Sequence, residues 1–324
     1  MFSVMVTTRC NLNCKYCYEG KKSNKDMSKE TADRVVDWIL KMNTEDVINI
    51  QFHGGEPLLN FEIIKYILLK LKKNKKVEPR MTTNCYYITN EIAEFLKENN
   101  FEVYVSIDGP KNVNDINRVD HNGNGSFDKI IEGIRILQSY GNKVHARGTV
   151  TPETAKYYHE SGLYLLNNIS DSVGIEPDFS TSKWDKDSIK VLINEIEKNS
   201  KLELEGTGIT LDISSKDRYH KLGKCDGAIT NYFISEDGDL YPCLFAYIGK
   251  FERLGDVING QTSSIDVEDI YSIEYEKCSN CVQKDTCTLV RCKYLNKLQT
   301  GTYNSIQQCS CMMEKAIYHC LNAN

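Results

Sequence analysis

The chain has 324 residues, with 40 Lys and Arg against 45 Asp and Glu and a net charge of −5. That length suits one barrel-sized domain plus an appendage. No apolar run approaches the ~20 residues that cross a bilayer, and acids and bases are interspersed without an electrostatic footprint for nucleic acid. The amino terminus lacks a signal peptide's basic-then-apolar order, so the sequence reads as a soluble, cytoplasmic protein without membrane association. Residues 2–8 read as a strand leading into a cysteine loop. Ser28 then caps a helix in which Ala32, Val35, Val36 and Ile39 recur at helical spacing. Val47–Phe52 alternates as a strand, and Asn60 caps a helix carrying Phe61, Ile64, Ile67, Leu68 and Leu71. Five lysines between Lys70 and Lys76 read as that helix's solvated end. The alternation continues through strand Arg80–Asn84, helix Glu91–Glu98, strand Glu102–Asp108 and helix Phe127–Ser139. Strand 143–150, helix 153–167, strand 172–178 and helix 186–198 follow. Six β/α units of about thirty residues predict an α/β fold, a parallel sheet with crossover helices.

The strands divide into an apolar and a polar face. Val103, Val105 and Ile107 oppose Tyr104, Ser106 and Asp108; Ile48, Ile50 and Phe52 oppose Asn49, Gln51 and His53; Val144, Ala146 and Val150 oppose His145, Arg147 and Thr149. Parallel sheets covered on both faces read as continuous apolar runs. One polar face therefore predicts an open, curved barrel with a hydrophilic lumen, and six units fall short of the eight that close a (β/α)8 barrel. The helical stretch around 186–204 and a polar turn near Ser214–Asp217 mark a boundary. They predict a barrel over 1–200, a bridging segment over 201–222 and a small cysteine-rich domain over 223–324.

Thirteen cysteines without a secretion signal argue for metal ligation rather than disulfides. Three lie at positions 10 to 17, one at 85 and nine after residue 224, which suggests two modules with separate metal chemistry. In Cys10-Asn-Leu-Asn-Cys14-Lys-Tyr-Cys17 the spacing can hold three irons of a [4Fe–4S] cube and leave the fourth open. A zinc half-site or unrelated thiols are the alternatives, although zinc sites favour CxxC pairs repeated at a distance.

Cys10, Cys14, Tyr16 and Cys17 match the CxxxCx(aromatic)C signature of the radical S-adenosylmethionine (SAM) enzymes, which this chain resembles. The resemblance implies a six-unit, TIM-like partial barrel. It also implies SAM chelated to the open iron and cleaved reductively to a 5′-deoxyadenosyl radical. Phe52-His-Gly-Gly-Glu-Pro57 closes the second strand; paired glycines let a backbone approach a ligand closely, and Glu56 offers a carboxylate to a cation. In the resembled family this Gly54-Gly55-Glu56 motif binds the amino group of SAM. Ser106 and Arg118 match positions that contact its ribose or carboxylate, with the guanidinium fork suited to a carboxylate. Tyr16 and Asn84 complete the expected cofactor-binding set. Thr83-Asn84 stands where the family often has Thr-Asn-Gly, but the third residue here is Cys85, read as a small buried hydrophobe. Asp108, Glu176 and Asp178 are candidate proton acceptors lining the lumen, with capping of its own loop the alternative for Asp108; His53 lies near the pocket in sequence without an assigned role.

The second half carries Cys225, twelve residues, Gly238, four residues and Cys243, then Cys278-x2-Cys281-x5-Cys287, Cys292, Cys309 and Cys311. This resembles the SPASM extension of radical SAM enzymes that modify peptides and proteins, with Cys287-x4-Cys292 one residue longer than the pattern. Residues Asp239–Cys243 are typical of a SPASM hairpin whose turn Gly238 supplies. The resemblance implies two auxiliary [4Fe–4S] clusters beside the SAM-binding one, three in all. Cys225, Cys243 and Cys292 would ligate the first; Cys278, Cys281, Cys287 and a late cysteine, Cys311 ahead of Cys309, the second. Cys320 is a bystander. Members with a fully ligated first auxiliary cluster have a further cysteine where this chain has Tyr219, beside His220, so that cluster would keep an open iron. A zinc ribbon over 278–292 is the non-redox alternative.

Together these features predict a SPASM-type radical SAM peptide maturase acting on a ribosomally made precursor peptide. It would join a substrate cysteine to a carbon radical as a thioether. The alternatives are anaerobic sulfatase maturation, which makes formylglycine, and a non-catalytic Fe–S or zinc scaffold. A flavodoxin or ferredoxin would donate electrons. Nine residues before Cys10 leave no room for a leader-binding domain, so a separate partner protein or the barrel and SPASM module would bind the leader.

Overall fold

The computed structural model describes residues 1–20, 23–179, 183–204, 222–263 and 266–322, without the side chains of 200–204 and 322. The expected turn near Ser214–Asp217, with Tyr219 and His220, lies outside the described residues. Strands β1 (Phe2–Thr7), β2 (Val47–Gly54), β3 (Lys76–Thr83), β4 (Glu102–Ser106), β5 (Val144–Val150) and β6 (Val173–Pro177) run parallel in that spatial order. Helices α1 (Lys29–Met42), α2 (Phe61–Lys72), α3 (Asn90–Glu98), α4 (Lys111–Asn117), α5 (Phe127–Ser139), α6 (Tyr158–Asn168) and α7 (Lys186–Leu204) alternate with them. The sheet ends at β6 on one side and does not close. The expected six-unit partial barrel forms.

The apolar face of each strand builds the core beneath the helices. Ile48, Ile50 and Phe52 are fully buried, as are Val103, Val105 and Ala146, while their polar neighbours along each strand are only partly buried. Ser28 caps α1 as expected, its hydroxyl accepting from the Thr31 amide at 3.0 Å. Asn60 does not cap α2. Its side-chain amide donates to the carbonyls of Val6 (2.8 Å) and Met27 (3.3 Å), tying the start of α2 to β1. Strand β3 begins at Lys76, ahead of the expected Arg80, and runs through Pro79. A proline supplies no ladder donor, and the pairing of β3 with β4 begins only at Arg80↔Glu102, one residue past it. The short helix α4, not anticipated from the sequence, occupies the segment before Arg118.

The cysteine-rich half is joined to the barrel through the same sheet. Strands β7 (Tyr232–Ile234), β8 (Asp239–Tyr241), β9 (Gly255–Asp256) and β10 (Gly260–Gln261) extend it beyond β1; β7 lies parallel to β1, and the others follow antiparallel. Gly238, at φ +89°, makes the β7–β8 turn. Phe2, Trp38 and Tyr232 meet at this seam with ring centroids 5.2 to 6.4 Å apart, two of the three pairs edge-on. Helices α8 (Leu244–Gly249), α9 (Val267–Ser272), α10 (Thr288–Arg291), α11 (Lys293–Thr300) and α12 (Gln308–Asn322) complete the chain, and α12 packs on α7. No helix among the described residues is long and apolar enough to cross a membrane.

Candidate active site

Strand β1 delivers the first cysteine loop to the open end of the barrel. Thr7 Oγ1 donates to Asp26 (2.6 Å), Arg9 pairs with Asp26 (2.8 Å), and the loop's amides at Asn13 and Lys15 donate to the carbonyls of Val119 and Asn117 (2.8 and 3.0 Å). The paired glycines serve this loop. A Cβ on Gly55 would stand 2.5 Å from the Arg9 carbonyl oxygen, and one on Gly54 2.9 Å from Pro57, while the Glu56 amide donates to Arg9 at 2.8 Å. The close approach expected toward a ligand is thus made by the protein's own cluster loop.

Two buried carboxylates clamp the strand ends. Glu56 accepts from Thr83 Oγ1 (2.7 Å) and the amides of Asn84 (2.7 Å) and Leu58 (3.2 Å), holding the ends of β2 and β3 together. Asp108 accepts from Tyr16 (2.5 Å), Arg118 Nε (3.0 Å) and the Thr149 amide (2.9 Å), and the Arg118 guanidinium lies 5.3 Å from the Tyr16 ring centre. Burial raises the Tyr16 phenol's pKa and Asp108 raises it further, so the phenol stays protonated and donates. The expectation that Asp108 is a lumen-facing proton acceptor is therefore corrected. It is 3% exposed, does not line the cavity, and has its carboxylate occupied from three sides. Cys85, at φ +56°, occupies the left-handed conformation that favours glycine, which accounts for the Thr-Asn-Gly pattern it departs from.

The strand ends enclose a cavity of about 490 Å³. Cys10, Cys14, Cys17, Tyr16, Gly54, Gly55, Glu56, Asn84, Ser106, Arg118, Glu176 and Asp178 line it, so of the residues expected near SAM and the first cluster only Asp108 is absent. His53, Arg147 and Thr149 also line it; their place on the polar faces of β2 and β5 was the signal that could have named them. Leu244, Phe245 and Leu295 reach it from the cysteine-rich half, and nothing in their apolar character announced that. His53 makes no hydrogen bond to the described residues, and burial lowers its pKa from 6.5 to about 4, so it is neutral near pH 7. Burial raises the Cys14 thiol to about 11. A buried thiol is held as thiolate by a metal rather than by water. Three thiols on one cavity wall fit a cluster at this place.

The remaining cysteines sort into two sets. Burial raises Cys243 to about 12 and Cys292 to about 11; Cys292 and Cys225 push Cys243 further, and Cys225 pushes Cys292. Cys278, Cys281, Cys287 and Cys311 line a second cavity of about 620 Å³. Cys309 does not line it and packs against the hydrophobic core, and Cys320 is buried. Among the described residues no three His, Cys, Asp or Glu side chains gather as a single ion requires. An iron–sulfur cube spaces its cysteines more widely.

A barrel rim of this kind, with a three-cysteine loop against a polar lumen, defines a class. The chain belongs to the radical SAM superfamily, whose family description matches residues 4–161, and it is a radical SAM enzyme that uses SAM and a [4Fe–4S] cluster. It is 36% identical over 248 residues to an uncharacterized protein of Methanocaldococcus jannaschii, covering 74% of this chain and 82% of that one. It is 28% identical over 213 residues to the radical SAM cyclopropyl synthase TigE of Paramaledivibacter caminithermalis, covering 60% of this chain and 44% of TigE. It is 29% identical over 278 residues to a cysteine-type anaerobic sulfatase-maturating enzyme of Clostridium perfringens, covering 76% and 74%. The solved structure of native anSMEcpe with bound AdoMet superposes with a TM-score of 0.83 over 98% of this chain and 96% of that one, at 20% identity. Streptococcus suis SuiB bound to its precursor peptide SuiA gives 0.70 over 96% and 75%, at 16% identity. Identities this low show a shared fold.

Two predictions follow from the rim geometry. Replacing Asp108 by Asn leaves Arg118 buried without its countercharge and lowers the unfolding free energy by about 3 kcal/mol; a urea midpoint equal to the parent's contradicts the clamp. His53 takes up its proton near pH 6.5 when unfolded and near 4 when folded. Stability is therefore complete above pH 6.5 and falls by up to about 3 kcal/mol as the pH drops toward 4. In urea titrations across that window, His53→Gln loses less stability than the parent; identical acid limbs contradict the assignment.

Proposed function

We propose that the enzyme is a peptide maturase that joins a substrate cysteine to a carbon of the same precursor peptide as a thioether. The observation that carries this reading is the meeting of the two halves at one cavity. Leu244, Phe245 and Leu295, which follow Cys243 and Cys292 closely in the chain, share its wall with Cys10, Cys14 and Cys17. A peptide seated there would lie between the SAM site and the first auxiliary cysteine set.

When bound, SAM and its cluster would supply hydrogen-atom abstraction from a peptide carbon, and auxiliary clusters would accept the one electron that thioether formation releases. The chain's own residues hold and orient these groups. Cys10, Cys14 and Cys17 would ligate the SAM-binding cluster. Arg118, fixed by Asp108, would present its guanidinium to the SAM carboxylate, and Ser106, Asn84 and Tyr16 would line the rest of that subsite. Glu56 contributes by fixing the β2–β3 rim. Cys225, Cys243 and Cys292 would hold one auxiliary cluster, with room for a substrate thiolate, and Cys278, Cys281, Cys287 and Cys311 the other. Glu176 and Asp178, at the β6 end of the wall, are the proton acceptors that remain once Asp108 is committed to Arg118.

The second reading is formylglycine formation, favoured by the likeness to anSMEcpe over 98% of the chain and to the C. perfringens maturase. The two differ in the fate of sulfur. Reduced, reconstituted enzyme given SAM and a cysteine-containing peptide should release 5′-deoxyadenosine and yield a peptide that loses two hydrogens and keeps its sulfur. A product in which the cysteine has lost its sulfur supports sulfatase maturation instead, and no 5′-deoxyadenosine at all contradicts both.

A further inference from the structure

A buried cation without an ion pair sits where the two C-terminal cysteine sets meet. Lys293, the residue after Cys292, is 3% exposed, yet no carboxylate among the described residues lies within salt-bridge distance of it. Its ammonium stands 3.8 Å from the centre of the Tyr275 ring and donates to the Ile273 carbonyl at 2.6 Å. Tyr275 is itself fixed, donating to the Tyr303 carbonyl (2.9 Å) and accepting from Asn296 Nδ2 (2.5 Å). Its hydroxyl is close enough to interact electrostatically with Cys292 of one set and with Cys278 and Cys287 of the other; Lys315 and then Lys293 act in the same way on Cys278, and Arg291 on Cys292.

Taking an ammonium out of water is costly unless an opposite charge is near. One carbonyl and one aromatic face offset part of that cost; the carboxylate that acts on it, Glu274, lies beyond salt-bridge distance, is mostly exposed and is paired with Lys284. A [4Fe–4S] cube on cysteine thiolates is an anion, and it becomes more negative when reduced. Local charge and hydrogen bonding set the potential of such clusters, so a fixed cation at their edge favours the reduced state.

We propose that Lys293, stacked on Tyr275 between the two cysteine sets, is the built-in countercharge of the auxiliary clusters and holds their reduction potential up. They then take an electron from the product-forming step more readily. The inference rests on the reading that these cysteines hold clusters, and the experiment separates the two.

In a Cys10/Cys14/Cys17→Ala background, reconstituted anaerobically, only the auxiliary clusters contribute to the EPR signal of a potentiometric titration. Lys293→Met should then shift the midpoint negative by at least 59 mV, a tenfold change in the ratio of reduced to oxidised cluster for a one-electron couple. Lys293→Arg should titrate with the parent background. An unchanged midpoint in Lys293→Met, or an equal shift in both variants, overturns the proposal while leaving the cluster reading intact. If Lys293→Met binds no iron while Lys293→Arg loads fully, the charge is needed by the clusters and the proposal is supported. If neither loads, the packing of the side chain is responsible and the proposal fails. A parent background that binds no iron overturns the cluster reading and this inference with it.

Discussion

The active-site end of the barrel depends on the ion pair between Asp108 and Arg118, both under a tenth exposed. Asp108 lies two residues past β4, Arg118 follows α4, Tyr16 belongs to the cluster loop and Thr149 to β5, so one carboxylate gathers four parts of the chain. Separating Asp108 from Arg118 leaves a buried charge without its partner. Glu56 does the corresponding work for β2 and β3. Apart from these two carboxylates, the cavity wall carries Glu176 and Asp178 at the β6 end and Glu19 in the cluster loop.

The barrel was legible because its strands alternate. Period-two patterning assigned the apolar face to the core, and the same patterning put His53, Ser106, Arg147 and Thr149 on the lumen side. Depth along a strand is not written in that alternation. Tyr104 and His145 share the polar face but sit below the cavity, with ring centres 5.2 Å apart, and only the last residues of each strand reach it. A strand-ending aspartate likewise looks the same in sequence whether it faces a lumen or an arginine ten residues away. That distinction was the one the sequence could not make for Asp108.

The cysteine-rich half was legible in its spacing and opaque in its attachment. Three-residue strands carry no usable periodicity, so the parallel pairing of β7 with β1 had no signal; the Phe2–Trp38–Tyr232 cluster that accompanies it joins residues over two hundred positions apart. The placing of Cys309 and Cys311 follows from helical geometry. Two residues apart on α12 they point about 200° from each other, and it is Cys311 that lines the second cavity. The crossing of the two sets, with Cys292 near Cys225 and Cys243 and Cys278 near Cys311, puts the covalent frame of each set on segments distant in sequence. Cluster loading would on this account fasten the half together as well as carry electrons.

The number of clusters decides whether the carboxy-terminal cysteines carry redox chemistry. Iron and sulfide measured after anaerobic reconstitution should give about twelve irons for the intact chain and about eight for the Cys10/Cys14/Cys17→Ala variant, as three [4Fe–4S] clusters require. About four irons falling to none, with zinc bound instead, would leave the radical SAM core in place. It would contradict the two auxiliary clusters and the thioether chemistry that depends on them.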